Sequence, residues 1–180
     1  MVFSNSLFDA SLLGTAAASM VPANHILRPL ELTDFRKGYV ECLSNLTIVG
    51  EVTEQMFAES FEEMQRAGGY FVVVIEDQET GRIVASGTLV VEQKFIRMCG
   101  RVGHIEDIVV AKGQQGKRFG FTIIKQLREL AHATGCYKSI LDCSEENAPF
   151  YEKCGLEVKG LQMAVYSPDA ASKKTATANI

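Results

Sequence analysis

The sequence predicts an α/β (α+β) domain built on one mixed, mostly antiparallel sheet with helices on both faces. Two strongly apolar segments, 70–76 and 82–92, flank the turn DQETG, and this arrangement is typical of a β-hairpin. A third apolar segment, 104–111, leads through a glycine-rich turn into an amphipathic segment at 119–134, which is typical of a strand followed by a helix. A strand after that helix requires a right-handed crossover, which makes the sheet mixed.

The remaining elements are predicted from apolar spacing and from capping residues. Thr33 or Asp34 is suited to cap one helix and Thr53 to cap a second, which Gly68 and Gly69 should end. In chain order the predictions are strand 25–30, helix 33–43, helix 53–66, strand 138–143, helix 147–154 and strand 157–166.

Composition and charge narrow the class of protein. The net charge of −4 argues against a general nucleic-acid binder, which would carry a basic surplus. The five cysteines are an odd number without a CxxC pair, so reduced thiols in the cytoplasm are expected rather than disulfides or a metal site. No apolar run reaches the ~20 residues of a membrane-spanning helix.

The chain length predicts one domain with two extensions. At 180 residues the chain is long enough to bury a core without covalent cross-links. Residues 1–24 are rich in alanine and serine and lack the basic segment of a signal peptide, so they are predicted to form a flexible extension. The domain is expected to span residues 25–166, and residues 167–180 to form a disordered tail.

The turn between the third strand and its helix is suited to an anion. Gly116 and Gly120 let the backbone approach a ligand closely, Lys117 and Arg118 add positive charge, and the helix N-terminus presents unpaired N–H groups. No Lys-Ser/Thr pair follows the glycines, so this is not a Walker loop. The alternative interpretation is an ordinary strand-to-helix turn with solvated bases.

Two adjacent acids, Glu106 and Asp107, interrupt the apolar strand that precedes this turn. Such a pair is suited to proton transfer, although in a regular strand the two side chains point to opposite faces. The alternative is a solvated charge at the sheet edge. The histidines His104 and His132 are interpreted as structural or surface residues.

Four motifs, GHIEDI at 103–108, GCYK at 135–138, LDC at 141–143 and FYEKCG at 150–155, carry a family resemblance. Together with the loop they resemble the GNAT superfamily of acetyl-CoA-dependent N-acetyltransferases over about residues 25–166. The resemblance implies a GNAT-like sheet whose bulged central strand opens a V-shaped cleft. It also implies transfer of an acetyl group from acetyl-CoA to the amine of glucosamine 6-phosphate, in UDP-N-acetylglucosamine biosynthesis. A cytoplasmic homodimer without a metal is expected, in which the last strand helps to complete the partner's site.

The resemblance also assigns residues to roles. Glu106 and Asp107 should hold the amine and accept its proton, the Ile108 amide should polarise the thioester carbonyl, and Tyr151 should stabilise the departing thiolate; a packed core tyrosine is the alternative for Tyr151. The expected acetyl-CoA contacts are Ile108, Val109, Val110, Gln115, Gly116, Lys117, Arg118, Phe119, Gly120, Phe121, Asn147 and Tyr151. The expected sugar-phosphate contacts are Thr47, Lys94, Phe95, Ile96, Arg97, Glu106, Asp107, Tyr137, Lys138 and Asp142.

The sequence is also compatible with two other functions. One is acetylation of a lysine or a polyamine, which would require a stronger base and an acidic groove, against the cations at Lys94, Arg97 and Lys138. The other is a CoA-binding regulator without catalytic activity. The chain departs from the family at Tyr166, where an arginine is usual, and Arg97 is the candidate to compensate for the missing charge.

Overall fold

The computed structural model describes residues 5–166, and it contains a single five-stranded sheet within them. The strands lie in chain order across the sheet; the first four are antiparallel, and the fifth runs parallel to the fourth. They are β1 (His25–Pro29), β2 (Tyr70–Asp77), β3 (Arg82–Gln93), β4 (Arg101–Val110) and β5 (Cys136–Ile140). The mixed, mostly antiparallel sheet is therefore confirmed.

The chain divides after Leu141 into two compact units. The first contains the sheet and the helices α1 (Thr15–Ala18), α2 (Tyr39–Leu43), α3 (Glu54–Ala67), α4 (Ile96–Cys99) and α5 (Phe119–Ala133). The second contains the helix α6 (Ala148–Lys153). None of the helices in residues 5–166 is both long and apolar enough to cross a membrane.

Helices cover both faces of the sheet, as predicted. On one face Phe57 and Phe61 of α3 belong to a buried cluster with Val72 and Val74 of β2. On the other face α5 lies so close to β4 that a Cβ atom on Gly103 would stand 3.2 Å from the Cβ atom of Ala131. The predicted cap of α3 is also confirmed, because the Thr53 hydroxyl accepts a hydrogen bond of 3.2 Å from the Met56 amide.

The predicted helix 33–43 is wrong, since it is two elements. A 3₁₀ helix spans Leu32–Phe35 and α2 begins at Tyr39, with Gly38 between them in the left-handed region at φ 79°. Asp34 does not begin the helix but closes a capping box with Glu31. The buried Asp34 carboxylate also accepts two hydrogen bonds from Arg28, at 2.6 and 2.8 Å. This ion pair joins the 3₁₀ helix to β1 and so fixes the chain that leads into α2.

Two strand predictions after α5 need correction. The strand predicted at 138–143 is Cys136–Ile140, because pairing with β4 begins at Arg101↔Cys136 and ends at His104↔Ile140. No strand forms across the described residues 157–166, and the apolar side chains Leu161, Met163 and Val165 there are almost fully exposed. An alternating pattern specifies a strand only when a neighbouring strand supplies hydrogen bonds.

The N-terminal segment from residue 5, which is predicted to form a flexible extension, contacts the rest of the first unit. It contains a 3₁₀ helix at Ala10–Leu12 and the helix α1, and both Leu7 and Ala17 are buried. Its backbone is tied to the domain by a hydrogen bond of 2.9 Å from the Leu7 amide to the Leu30 carbonyl. The tail predicted at 167–180 lies outside the described residues.

Candidate active site

The bulge that the family resemblance predicts lies in β4, the fourth strand of the sheet. Its pairing with β3 passes from Thr88↔Glu106 to Ser86↔Val109, so Asp107 and Ile108 together oppose the single residue Gly87. Asp107 adopts the left-handed φ of 53°. Such a bulge bends the strand and leaves part of the ladder without its regular partner.

The bulge also resolves the problem of the adjacent acids. Glu106 and Asp107 are both exposed, whereas Ile105 and Val109 on either side of them are buried. A regular strand would have turned one of the two carboxylates into the core. The extra residue therefore presents both acids to solvent from the middle of a buried strand.

Buried Tyr39 of α2 lies near Asp107. Burial raises the pKa of the Tyr39 hydroxyl well above its usual value, and the negative charge of Asp107 raises it further. Ser86, opposite the bulge, interacts with this hydroxyl and donates its own proton to the Val73 carbonyl at 3.2 Å. The Tyr39 hydroxyl of α2 and the Ser86 hydroxyl of β3 are therefore neighbours beside the bulge.

β4 and β5 are paired along only the first part of β4. Their parallel pairing ends at His104↔Ile140, whereas β4 continues for six more residues to Val110. The acids and the bulge lie in this continuation. Termination of β5 next to a bulged strand is the geometry of the predicted V-shaped cleft.

The turn that leads into α5 has the properties needed to bind phosphate. Gly113 and Gly116 have φ values of 81° and 83°, and a Cβ atom on either would meet nothing within 4 Å. The first turn of α5 holds no acidic residue. Its first N–H groups have no partner within the helix, so the turn can accept a negatively charged group.

The residues of this turn divide between exposed and buried positions. Gln115, Gly116, Lys117 and Arg118 are exposed, whereas Phe119 is buried against the His25 ring, 4.9 Å away. Arg118 occupies the left-handed region at φ 64°, where glycine is usual. Its guanidinium lies 5.3 Å from the Phe121 ring centre and thus outside the turn.

Three of the predicted sugar-phosphate residues come together beyond the end of β3. The Arg97 guanidinium lies 5.8 Å from the centre of the Tyr137 ring, and the Lys138 ammonium lies 5.9 Å from it. Arg97 reaches this position through a left-handed φ of 56° within α4. Phe95 and Ile96 are exposed beside this pair of cations.

Thr47 lies in the exposed segment after α2. Asn45, two residues earlier, connects that segment to the turn before α5. The Asn45 side chain donates to the carbonyls of Glu41 and Cys42, and its oxygen accepts from the Lys112 amide at 3.3 Å. Sequence analysis did not single out Asn45, because nothing in its spacing indicates that contact.

The second unit contains three further predicted residues. Burial and the nearby thiols of Cys143 and Cys154 raise the pKa of Tyr151, so its hydroxyl stays protonated at neutral pH. Asp142 accepts a hydrogen bond of 3.0 Å from Gln162. Asn147 precedes α6 without a side-chain capping bond, although its carbonyl accepts from the Phe150 amide at 3.0 Å.

Sequence analysis also missed Glu92, which lies near the end of β3. Its carboxylate pairs with Lys94, one of the predicted cations, and its Oε2 lies 2.9 Å from His104 Nε2, from which it accepts a hydrogen bond when that nitrogen carries a proton. These partners are two and twelve residues away, and only the β3–β4 register reveals the second. Across residues 5–166, no group of three or more potential ligand side chains could hold a metal ion.

Comparison with known proteins agrees with this geometry. A family model described as "Acetyltransferase (GNAT) family" matches residues 27–156. The chain is 48% identical to glucosamine 6-phosphate N-acetyltransferase 1 of Dictyostelium discoideum, over 84% of this chain and 96% of that protein. It is 43% identical to the glucosamine 6-phosphate N-acetyltransferase of Candida albicans, over 80% and 97%.

A solved structure resembles the fold equally well. The crystal structure of glucosamine-6-phosphate N-acetyltransferase from Arabidopsis thaliana matches with a TM-score of 0.77 and 45% identity, covering 79% of this chain and 97% of that one. The family model, the relatives and the bulged strand beside a glycine-rich turn all agree. The chain therefore belongs to the acetyltransferase (GNAT) family.

Proposed function

We propose that this protein transfers the acetyl group of acetyl-CoA to the 2-amino group of glucosamine 6-phosphate. The observation that carries the proposal is its 48% identity, over 84% of the chain, to a relative that bears the name of this activity. The exposed acids at the bulge and the cations around Tyr137 supply suitable chemistry. The same cations disfavour a lysine or a polyamine as the acceptor, because they would repel its ammonium groups.

The turn before α5 would hold the pyrophosphate of acetyl-CoA. Backbone N–H groups around Gly116 and Gly120 would bind its oxygens, and Lys117 and Arg118 would add charge at the rim. Phe119 and Phe121 fix the turn, since the first is buried and the second lies against Arg118. The backbone of Val109 and Val110 would line the pantetheine arm along β4, since the Val109 side chain is buried.

The bulge would serve the chemical step. The sugar amine must lose a proton before or during its attack on the thioester, and Glu106 and Asp107 are exposed carboxylates that can accept it. Regular pairing with β3 is interrupted at Ile108, whose backbone amide would donate to the thioester carbonyl as negative charge develops on its oxygen.

Tyr151 would stabilise the departing CoA thiolate, and Asn147 would contact the pantetheine arm. A tyrosine whose pKa is raised remains a hydrogen-bond donor throughout the neutral range. An ordinary thiol has a pKa near 8.5 and gives up its proton more readily than tyrosine does, so the proton should move late. Tyr151 therefore acts mainly as a donor to developing charge.

The sugar phosphate would bind among Lys94, Arg97 and Lys138. Phe95, Ile96 and Tyr137 would form the walls, while Thr47 and Asp142 would contact the sugar hydroxyls. A phosphate dianion has several strong acceptor oxygens, and a cluster of cations around one aromatic ring suits it.

The proposal includes a cytoplasmic homodimer. Residues 157–166 form no strand, although Leu161, Met163 and Val165 alternate as a strand would and are almost fully exposed. A second copy of the chain would provide the missing neighbour, and the segment would then complete the partner's site. Light scattering after size exclusion should give twice the chain mass of 19.7 kDa. A monomeric mass during turnover would contradict this part.

The reaction itself can be tested by product analysis. Purified protein, acetyl-CoA and glucosamine 6-phosphate should release one CoA thiol for each N-acetylglucosamine 6-phosphate formed, with the new amide at the 2-amino position in NMR spectra. The same assay with a lysine peptide and with spermidine provides the controls. Faster turnover of either control, or thiol release without the amide, would contradict the proposed function.

A further inference from the structure

A cluster of three side chains, Glu92, Lys94 and His104, includes one of the cations of the predicted phosphate site. One Glu92 oxygen, Oε1, pairs with the Lys94 ammonium, and the other, Oε2, lies 2.9 Å from His104 Nε2. We name these three residues the Glu92 cluster. All of them are partly exposed, so they are accessible to a ligand.

The strand register brings the cluster together. Glu92 pairs with Val102 and Val90 pairs with His104, so Glu92 and His104 are diagonal neighbours across β3 and β4. Lys94 follows directly after β3, where its amide donates to the Gly100 carbonyl at 2.9 Å. The paired strands β3 and β4 thus fix the position of the Glu92 carboxylate, and the hydrogen bond to Gly100 fixes the backbone of Lys94.

We propose that Glu92 is a positioning residue for the phosphate of the acceptor, because it holds the Lys94 ammonium in place while His104 holds Glu92. This inference rests on the proposed function and adds to it a residue that does not touch the substrate. A lysine ammonium has three donors, so one bond to Glu92 leaves two for phosphate oxygens.

Glu92 would reduce the conformational entropy that the Lys94 side chain loses when it binds phosphate. A free lysine side chain has about 2 kcal/mol of rotamer entropy, part of which is lost when it binds a ligand. A lysine already held by Glu92 loses less on binding, which is preorganisation. His104 uses the second carboxylate oxygen, so Glu92 has fixed partners on both sides.

A purely electrostatic role of Glu92 would change the affinity for glucosamine 6-phosphate in the opposite direction, so the two roles can be distinguished. If Glu92 acted only through its negative charge, it would repel the phosphate and compete for Lys94. Its neutralisation by Glu92→Gln would then strengthen the binding of glucosamine 6-phosphate. Positioning predicts weaker binding instead, and only while Lys94 is present.

The test is a double-mutant cycle with Glu92→Gln, Lys94→Met and the double variant. With KM for glucosamine 6-phosphate as the readout, Glu92→Gln should raise KM about two- to fivefold, the range measured for exposed charged pairs. In the Lys94→Met background the same change should alter KM by less than about 1.5-fold, because the pair is already lost. In Glu92→Gln, kcat and the KM for acetyl-CoA should stay near their wild-type values.

Glu54→Gln provides the control, because Glu54 of α3 forms an ion pair of 2.7 Å with Arg36 that is more exposed than the Glu92–Lys94 pair. It should leave every kinetic constant unchanged. Equal effects of Glu92→Gln in both backgrounds, or a lower KM, would overturn the positioning role while turnover of glucosamine 6-phosphate still supports the proposed function. Absence of wild-type turnover with that sugar would instead overturn the proposed function, and this inference with it.

Discussion

Gly87 of β3 lies directly beneath Ile108 of β4, so that a Cβ atom on Gly87 would stand 2.5 Å from Ile108 Cδ1. The same atom would stand 2.5 Å from Ile123 Cγ2 of α5. Contacts this short force neighbouring atoms to move. The absence of a side chain at Gly87 therefore allows the bulge to place the Ile108 side chain between the sheet and α5.

Substitution of Gly87 should damage the site through this contact. Gly87→Ala should lower the free energy of unfolding by about 1–3 kcal/mol, the usual cost of overpacking a core. It should also lower kcat by about 10- to 100-fold, because a displacement near 1 Å misaligns reacting groups. Chemical denaturation and steady-state kinetics at saturating substrates measure the two effects.

Gly103→Ala separates these effects, since its Cβ atom would also crowd the α5 face, at 2.8 Å from Leu89 Cδ1, but away from the bulge. Gly103→Ala should lower the free energy of unfolding about as much as Gly87→Ala does, while its kcat should remain near the wild-type value. Adding Ile108→Val to Gly87→Ala removes Cδ1 and should restore part of kcat. Equal loss of kcat in both alanine variants would mean that the bulge has no special role.

The Tyr151 hydroxyl gives the second prediction. Tyr151→Phe keeps the ring, which lies 5.1 Å from that of Phe150, and removes only the donor. We expect kcat to fall by about 10²–10³-fold with little change in either KM, as for the loss of a proton donor. Pre-steady-state measurements check that chemistry limits the rate. A variant with wild-type kcat under those conditions would leave Tyr151 as a packing residue.

Tyr39 gives a prediction for alkaline pH. Its folded-state pKa is raised by burial and by the charge of Asp107, so the folded chain keeps a proton that the unfolded chain releases near pH 10. Its contribution to stability is complete below about pH 10 and is lost as pH rises, by up to about 1.4 kcal/mol per unit.

Urea denaturation between pH 8 and 11 measures this contribution. Tyr39→Phe should show a shallower loss of stability above pH 10 than the wild type does. Tyr70→Phe serves as the control and should keep the wild-type slope. An unchanged slope in Tyr39→Phe would show that this hydroxyl does not titrate on unfolding.

Arg97 and Tyr166 give a prediction about phosphate binding. If Arg97 supplies the charge that the family carries at position 166, Arg97→Ala should raise KM for glucosamine 6-phosphate about tenfold. Its kcat should change less, because the phosphate is remote from the amine. Tyr166→Arg in that background should recover part of the affinity, less so at high salt. If Tyr166→Arg does not recover affinity, Arg97 does not compensate for the residue at position 166, and the phosphate is bound by Lys94 and Lys138.

The sequence was sufficient for elements whose signals are local. The cap at Thr53, the hairpin of β2 and β3 and the strand-to-helix turn before α5 depend on neighbouring residues, and the structure agrees with each. The bulge followed from the family resemblance, whereas nothing in the pattern indicated Gly87 as the residue that accommodates it. That contact joins residues 21 positions apart through the register of β3 and β4.

The failures share one physical cause, which is that pairing and long-range charge override local pattern. The helix predicted at 33–43 breaks at Gly38 while the Asp34 carboxylate binds Arg28. The alternation at 157–166 forms no strand without a neighbour. The sequence pattern does not identify Glu92, because its contact with His104 depends on the pairing of β3 with β4.

The central claim is that this acetyltransferase recognises an amine through a phosphate on the same sugar. The most direct measurement compares kcat/KM for glucosamine 6-phosphate and for glucosamine at one pH and ionic strength. We expect a preference of at least about 100-fold for the phosphorylated sugar, since two charge-assisted hydrogen bonds contribute about 1.5–3 kcal/mol each. The preference should shrink in Lys138→Met. Equal kcat/KM values for the two sugars would contradict the account.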